Sequence, residues 1–476
     1  MVKIKFGTAG WRAVISDEFT MGNVRLVTQA IANYIKEQET NGKHQAVVGY
    51  DTRFMSENFA KVSSRVLAAN GIKASVTIRD VPTPAFAYEI LGRRASGGIN
   101  FTASHNPPEY NGIKFSPSWG GPALPETTSA IEKSCALLME GKSSVRDIPW
   151  EEGKEKGLIE YVDPRPKYIK RISELVNLEG IKKAKLKIAV DLMYGTGRDY
   201  LDAILKQAGC EVIVLHNWRD VLFGGYPPEP SFAYLGELVK KVGEENCDLG
   251  LATDGDSDRF GIVDSDGTFI SPNQVLALLL NHLVKTRNWK GLVVRSVMTT
   301  SFVDAIAGIH GIGVKETPVG FKYIAEVMQD SEMVIGGEES GGLTIHGHIP
   351  EKDGILACLL IAEMVAFEGK SIGEILADLY KKVGLFLSER INFHLKEDKM
   401  EDLKARLGKD LPKKIAGLKV ERVVNLDGLK FLLADGSWLG IRLSGTEPVA
   451  RLYVEAHGTE KLEKLKEAGK ELIGQR

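Results

Sequence analysis

The chain has 476 residues, 43% hydrophobic and 26% charged, the profile of an ordinary globular protein with length for roughly three or four domains. Its 61 basic residues against 63 acidic ones leave a formal charge of -2, so no global field favours nucleic acid or an anionic membrane, and anion binding must come from local clusters. Cys135, Cys210, Cys247 and Cys358 form no C-x-x-C pair, Met1 to Gly7 lacks the apolar core of a signal peptide, and the most apolar run, residues 355–367, is too short to span a bilayer and carries Glu363; a cytoplasmic protein with reduced thiols is expected.

In chain order, an apolar β-rich run, a helical stretch and a second β-rich run occur at residues 46–78, 186–215 and 292–314. In the first, Gln45 to Asp51 leads into a helix over 58–70, Gly71 stops it, and 73–78 returns as a strand. The second runs from Lys187 to Asp191, through the Gly195-Thr196-Gly197 turn and a helix to about Gln207, to a strand over 210–215. The third has strands at 292–296 and ending at Lys315, around a helix over 301–309. Parallel strands need such crossovers, so each unit predicts a layered α/β domain. From Asn392 the pattern changes to short alternating segments with Asp427-Gly428 and Asp435-Gly436 turn signals, closed by a charged helix over 460–471, which predicts an antiparallel α+β domain. The expected divisions are 1–163, 164–264, 265–375 and 376–476.

Two segments carry the most chemistry. Asp254-Gly255-Asp256-Ser257-Asp258-Arg259 alternates carboxylates with other residues, so in an extended loop the three acids point the same way and converge on one small cation. It is not an EF-hand: Arg259 stands where that loop needs glycine and Ser265 where it needs a bidentate glutamate. The composition describes a Mg²⁺ site with coordination positions left for a phosphate oxygen. Thr102-Ala103-Ser104-His105-Asn106-Pro107 offers a hydroxyl on a polar, proline-stopped loop, with His105, Lys114 and the acidic loop as activators. Taken alone, Ser104 reads equally well as a turn-capping serine. Lys114, in Asn111-Gly112-Ile113-Lys114, neutralises phosphate charge, or shuttles a proton if its surroundings depress its pKa.

Three further glycine-rich loops suit anions or sugars: Gly336 to Gly342 with Glu338, Glu339 and Ser340; Thr317-Pro318-Val319-Gly320; and Arg442-Leu443-Ser444-Gly445-Thr446-Glu447-Pro448 with Arg451. An ordinary surface turn explains any one of them in isolation. Gly195-Thr196-Gly197 lacks the third glycine of a dinucleotide fingerprint, and Gly141-Lys142-Ser143 lacks the first glycine of a P-loop.

With Gly7-Thr8-Ala9-Gly10-Trp11-Arg12 these make seven motifs in one order, and the chain closely resembles the α-D-phosphohexomutase family of phosphoglucomutases and phosphomannomutases. The resemblance implies three α/β domains and a C-terminal α+β domain around a central cleft. It implies that Ser104 is carried as a phosphoserine, that Ser104, Asp254, Asp256 and Asp258 hold one Mg²⁺, and that Arg12, His105, Lys114 and Arg259 line the transfer site. Glu338 and Ser340 would hold sugar hydroxyls, Thr317 to Gly320 would orient the ring, and Arg442, Ser444, Gly445, Thr446 and Arg451 would bind the non-reacting phosphate. The implied reaction interconverts hexose 1-phosphate and hexose 6-phosphate through a hexose 1,6-bisphosphate, glucose before mannose, with glucosamine phosphate the alternative, or a non-mutase phosphosugar-binding protein or bisphosphate synthase. Phosphosugars are the expected partners, nucleic acid and membrane are not, and oligomeric state is unread. One departure stands out: relatives with dual sugar specificity place histidine where this chain has Gly342, leaving His348 or Lys352 as weak substitutes for a second acid/base.

Overall fold

Residues 46–48 sit at the centre of the first layer because helices cover both faces of their strand. In the computed structural model, which describes residues 4–7, 10–38, 44–409, 411–444 and 449–474, strand Gln45–Tyr50 turns Val47 toward Phe86 and Ile90 of helix Thr83–Arg93. Its neighbours Ala46 and Val48 face Phe59 and Val62 of helix Ser56–Ala69. The period of two thus divides one apolar run between two cores. The six-stranded sheet runs Trp11–Val14, Tyr110–Pro117, Gly97–Phe101, Gln45–Tyr50, Lys73–Thr77, Ile159–Val162. Its last four strands are parallel and its first two antiparallel.

The second sheet orders Phe269–Ile270, Phe260–Asp264, Leu249–Thr253, Lys187–Asp191 and Glu211–Leu215; the third orders Gly313–Thr317, Leu292–Ser296, Met333–Glu338 and Gly342–Ile345. Each of the three expected βαβ units forms a parallel strand pair. The fourth sheet, Leu387–His394, Val449–Ala456, Trp438–Leu443, Leu429–Leu433, Leu418–Val424 and Lys414–Ile415, is antiparallel and packs helix Thr459–Ile473.

Three expectations shift. Phe269–Ile270 still pairs with Phe260–Asp264, and helix Ile372–Val383 packs on helices Pro272–Arg287 and Phe302–Ile309 of the third layer. We therefore propose unit boundaries after residues 270 and 383 in place of 264 and 375. Helix Glu397–Leu407 interrupts the tail read as strands; its apolar positions Met400, Leu403 and Leu407 have helical spacing and face the last core.

The apolar run at 355–367 becomes helix Gly354–Glu368, buried from Gly354 through Val365. It packs on strands of both the second and third sheets, and a helix apolar all round belongs inside. Among the described residues no helix is long and apolar enough to cross a membrane. All four cysteines are free and buried.

Candidate functional site

Ser104 lies in the connection between antiparallel strands Gly97–Phe101 and Tyr110–Pro117. Its backbone is left-handed, φ +52°, its N–H donates to Thr102 Oγ1 at 2.8 Å, and the residue is 1% exposed. The hydroxyl donates to Asp254 Oδ2 at 2.9 Å, across 150 residues of sequence, with His105 Nδ1 at 3.3 Å on its other side. Close approach of the two loops requires glycine: a Cβ on Gly255 would stand 2.8 Å from the Ser104 carbonyl oxygen.

The acidic loop turns between strands Leu249–Thr253 and Phe260–Asp264, with Ser257 at φ +59°. Asp254, Asp256 and Asp258 are fully buried, and one oxygen from each lies within 4.8 Å of the others. Thr83 Oγ1 donates to Asp256 Oδ2 at 2.7 Å, the Arg259 N–H donates to Asp254 Oδ1 at 3.0 Å, and Asp256 Oδ1 and Asp258 Oδ1 have no hydrogen-bond partner. Three converging carboxylates with unpartnered buried oxygens form an all-oxygen donor set that suits a hard divalent cation.

Two lysines flank the triad. Lys114 Nζ is 2.6 Å from Asp256 Oδ2 and 3.1 Å from Asp258 Oδ2, and Lys352 Nζ is 2.8 Å from Asp258 Oδ2. Burial opposes the charge of Lys114, but Asp256 and Asp258 overcome it and hold the ammonium above its ordinary value. The depressed pKa that proton shuttling would call for is therefore absent at Lys114. Burial works the other way on Asp258, yet Lys114, Lys352 and Arg259 keep it ionised below the usual carboxylate range. Asp254 is pushed well up, by burial first and then by Asp256 and Asp258. Burial, with Arg259 and Arg12 adding to it, holds His105 well below its ordinary value, a neutral imidazole.

Strand register places Arg12 beside Gly112, two residues from Lys114 on the same face, and Arg12 Nη1 donates to Asn106 Oδ1 at 2.5 Å. Beside them lies a cavity of about 720 Å³ lined by all four units; Ser104, Asp254, Asp256 and Asp258 are not in its wall, but their partners His105, Lys114 and Arg259 are. Arg12, His105, Lys114, Arg259, Gly320, Glu338, Ser340, Arg442 and Arg451 all line it. Glu338 Oε1 accepts the Gly320 N–H at 2.7 Å, and burial together with neighbouring Glu339 pushes Glu338 up to about 7. Arg442 Nε donates to Asp427 Oδ2 at 3.0 Å, and Asp427 also takes the Val319 N–H at 3.1 Å.

Two residues expected to bind sugar or phosphate stand elsewhere. The Thr317 hydroxyl donates to the Pro318 carbonyl oxygen at 3.1 Å and the residue is not in the cavity wall. Ser444 is likewise outside the wall, its N–H bonded to the Val449 carbonyl at 2.9 Å. Thr8, Ala9, Gly445, Thr446, Glu447 and Pro448 lie outside the described residues. Lys5, Lys322, Glu351, Arg390 and Asn392 line the cavity without having been expected; only Arg390 and Asn392, i and i+2 on strand Leu387–His394, carried a signal of a shared face.

The missing histidine has a physical counterpart. A Cβ on Gly342 would lie 2.2 Å from Lys352 Cδ, so the Lys352 side chain passes through the room that a larger residue would fill. His348 is committed elsewhere: its Nε2 is 2.7 Å from Asp353 Oδ2, which also accepts from Tyr168 Oη at 2.7 Å, and both partners are wholly buried.

Models of the four phosphoglucomutase/phosphomannomutase domains match the chain: alpha/beta/alpha domain I over residues 3–140, domain II over 166–267, domain III over 271–383 and the C-terminal domain over 391–471. The chain belongs to the phosphoglucomutase/phosphomannomutase family. It is thus an α-D-phosphohexomutase, an isomerase that moves a phosphoryl group within a sugar phosphate. It is 30% identical to a phosphoglucomutase/phosphomannomutase of Thermococcus kodakarensis, over 98% of each chain. It is 32% identical to a protein of Pyrococcus horikoshii named “Probable phosphoglucosamine mutase”, over 98% of this chain and 97% of that one. Among solved structures, parafusin, an exocytosis-sensitive phosphoprotein and phosphoglucomutase of Paramecium in its open form, superposes with a TM-score of 0.84 at 25% identity, over 100% of this chain and 95% of that one.

Proposed function

We propose that this phosphohexomutase interconverts hexose 1-phosphate and hexose 6-phosphate, glucose in first place and mannose after it, using Ser104 as a phosphoserine and Mg²⁺ at the acidic loop. The observation that carries the reading is the Ser104 hydroxyl 2.9 Å from Asp254, at the edge of a buried triad beside a cation-rich cavity. The residues form two groups. Arg12, Lys114 and Arg259 come from the first and second units, Arg390, Arg442 and Arg451 from the fourth, and all six line one cavity, so we read them as grips for the two ends of a sugar phosphate. Glu338 and Ser340 hold ring hydroxyls between them.

Phosphorylated Ser104 gives its phosphoryl group to the free hydroxyl of the bound monophosphate: the Oγ–P bond breaks, the sugar O–P bond forms, and the hydroxyl proton leaves to a base. The 1,6-bisphosphate reorients, and its other phosphoryl group returns to Ser104, with the proton going back to the sugar oxygen. Asp254, Asp256, Asp258 and Ser104 would hold Mg²⁺, whose chemistry is to withdraw charge from the transferring phosphoryl group. Lys114, held protonated by Asp256 and Asp258, offers a fixed positive charge to the transferring phosphoryl group, and neutral His105 is placed to accept a proton. Lys352, over Gly342, is the second proton carrier beside the triad.

Intact mass tests the carrier. After incubation with glucose 1,6-bisphosphate the wild type carries about 80 Da more than its unmodified sequence and Ser104→Ala does not; a wild type bearing no such mass ends the phosphoserine reading. The glucosamine alternative is favoured by the naming of the Pyrococcus relative. Turnover of glucose, mannose and glucosamine 1-phosphates, compared on one preparation, is expected to rank glucose first. A decisive lead for either other sugar reverses the assignment.

A further inference from the structure

The loop that carries Ser104 turns four of its backbone carbonyls inward, and one side chain meets them all. Arg53 Nη1 donates to the carbonyl oxygens of Pro107 at 2.7 Å and Tyr110 at 2.9 Å. Its Nη2 donates to those of Ser104 at 2.7 Å and Asn106 at 2.6 Å. The fifth donor, Nε, goes to Asp51 Oδ2 at 3.1 Å. Every N–H of the guanidinium is spent, in a planar fork that no other side chain reproduces. Arg53 and Asp51 side chains are 0% exposed, Asp51 Oδ1 also takes the Arg53 N–H and the Ser56 hydroxyl, each at 3.0 Å, and Phe223 of the second unit lies 5.0 Å from the guanidinium carbon.

The clamp acts on two groups of the transfer site at once. Fixing the Ser104 carbonyl holds a left-handed backbone, φ +52°, that directs Oγ at Asp254; fixing the Asn106 carbonyl holds the residue whose Oδ1 accepts from Arg12. Arg53 is wholly buried and its side-chain N–H groups are all taken by protein acceptors, so it has no donor left for substrate. We infer that Arg53, seated on Asp51, is a positioning residue for phosphoryl transfer, which aligns Ser104 and Arg12 by binding the loop's carbonyls. This rests on Ser104 being the phosphoryl carrier.

Substitution Arg53→Lys keeps the charge and volume but leaves three donors on a point-like ammonium, so at least one carbonyl is released. Single-turnover phosphorylation by glucose 1,6-bisphosphate, followed by intact mass, reads the step directly. Ser104 Oγ bonds to phosphorus, the sugar O–P bond breaks, and the Oγ proton ends on the released sugar hydroxyl. The rate and kcat are expected to fall about 100-fold in Arg53→Lys with KM within about twofold, the signature of misplacement rather than lost binding. Asp51→Asn, which loosens the anchor and leaves the carbonyl bonds, is expected to fall between the two.

Ile31→Ala, a core change in helix Met21–Gln38 of the same unit, is the stability control: it lowers Tm and leaves kcat per folded molecule unchanged. Wild-type rates in Arg53→Lys overturn the inference. So do losses in Arg53→Lys and Asp51→Asn that match the folded fraction, as in the control. A wild type that takes no phosphoryl group fails the carrier reading, and this inference falls with it; a wild type that does, beside an Arg53→Lys that matches it, fails the inference alone.

Discussion

Glu338 holds its proton far more tightly than an exposed carboxyl, up to about 7 against an ordinary 4.5, because burial and Glu339 both oppose its charge. A carboxyl whose folded value is raised contributes stability that is complete below the unfolded value and is lost as pH rises through the folded one. Relative to Glu338→Gln, which cannot ionise, the wild type is therefore expected to lose at most about 3 kcal/mol between pH 4.5 and pH 8. Urea midpoints of the two proteins at both pH values measure it, and a difference that stays constant would show Glu338 ionised throughout. Gly342 is a second single-residue control point. Gly342→Ala puts a methyl against Lys352 Cδ, and the flexible lysine gives way before the backbone does. The expected result is a Tm near that of the wild type with a kcat reduced about tenfold or more as Lys352 leaves Asp258; an unchanged kcat removes Lys352 from the proton chemistry.

At the scale of elements, helix Gly354–Glu368 ties the acidic loop to the core. Its first N–H, that of Gly354, donates to the Ser257 carbonyl at 3.1 Å, and Asp353 caps it through the Leu356 N–H at 2.9 Å. The same carboxylate takes Tyr168 from the second unit and His348 from the third, so one side chain joins two layers at the helix that both pack on. Asp353→Ala leaves these buried partners unpaired, and a loss of about 3–5 kcal/mol in urea unfolding is expected, the usual cost of breaking a buried charged network. A loss within about 0.5 kcal/mol, the range of a surface substitution, would mean that the network is not structural. The hydrophobicity of residues 355–367 was plain in the sequence, but a buried helix axis and a bilayer segment share that composition; length and Glu363 excluded the second, and only packing showed the first. Glu363 accepts from Arg287 at 2.6 Å and lies 2.8 Å from His282, which is how a charge survives there.

Across the whole molecule, the C-terminal unit is latched to the third by Glu455. Its carboxylate accepts from Trp438 Nε1 at 2.7 Å, the Ser301 N–H at 2.9 Å and the Thr300 hydroxyl, while buried Lys430 Nζ donates to the Val297 carbonyl at 2.7 Å. Arg390, Arg442 and Arg451 of the cavity wall belong to this unit, so the latch joins their unit to the third. Glu455→Gln keeps the size but cannot accept equally from three donors. Trp438 fluorescence is expected to change at a lower temperature than the far-ultraviolet signal, splitting one thermal transition into two; coincident transitions would mean that the interface does not depend on Glu455.

The sequence by itself determined what depends on neighbours along the chain: the βαβ units, from apolar period and glycine stops; the antiparallel tail, from alternation and Asp-Gly turns; and the grouping of Asp254, Asp256 and Asp258 in one loop, although they converge through a tight turn with Ser257 left-handed and not through the extended loop expected. Only the tertiary structure decided what depends on packing between layers. It set Ser104 against Asp254, put Lys352 in the space over Gly342, brought Arg390 and Lys322 to the cavity, withdrew Thr317 from it, paired Phe269–Ile270 with Phe260–Asp264 and packed helix Ile372–Val383 on the third layer. The direction of each proton affinity belongs to the same class. Lys114 next to carboxylates in a low-dielectric interior is held protonated, whereas burial alone pulls its proton affinity down, and no spacing of residues along a chain reveals which of the two prevails.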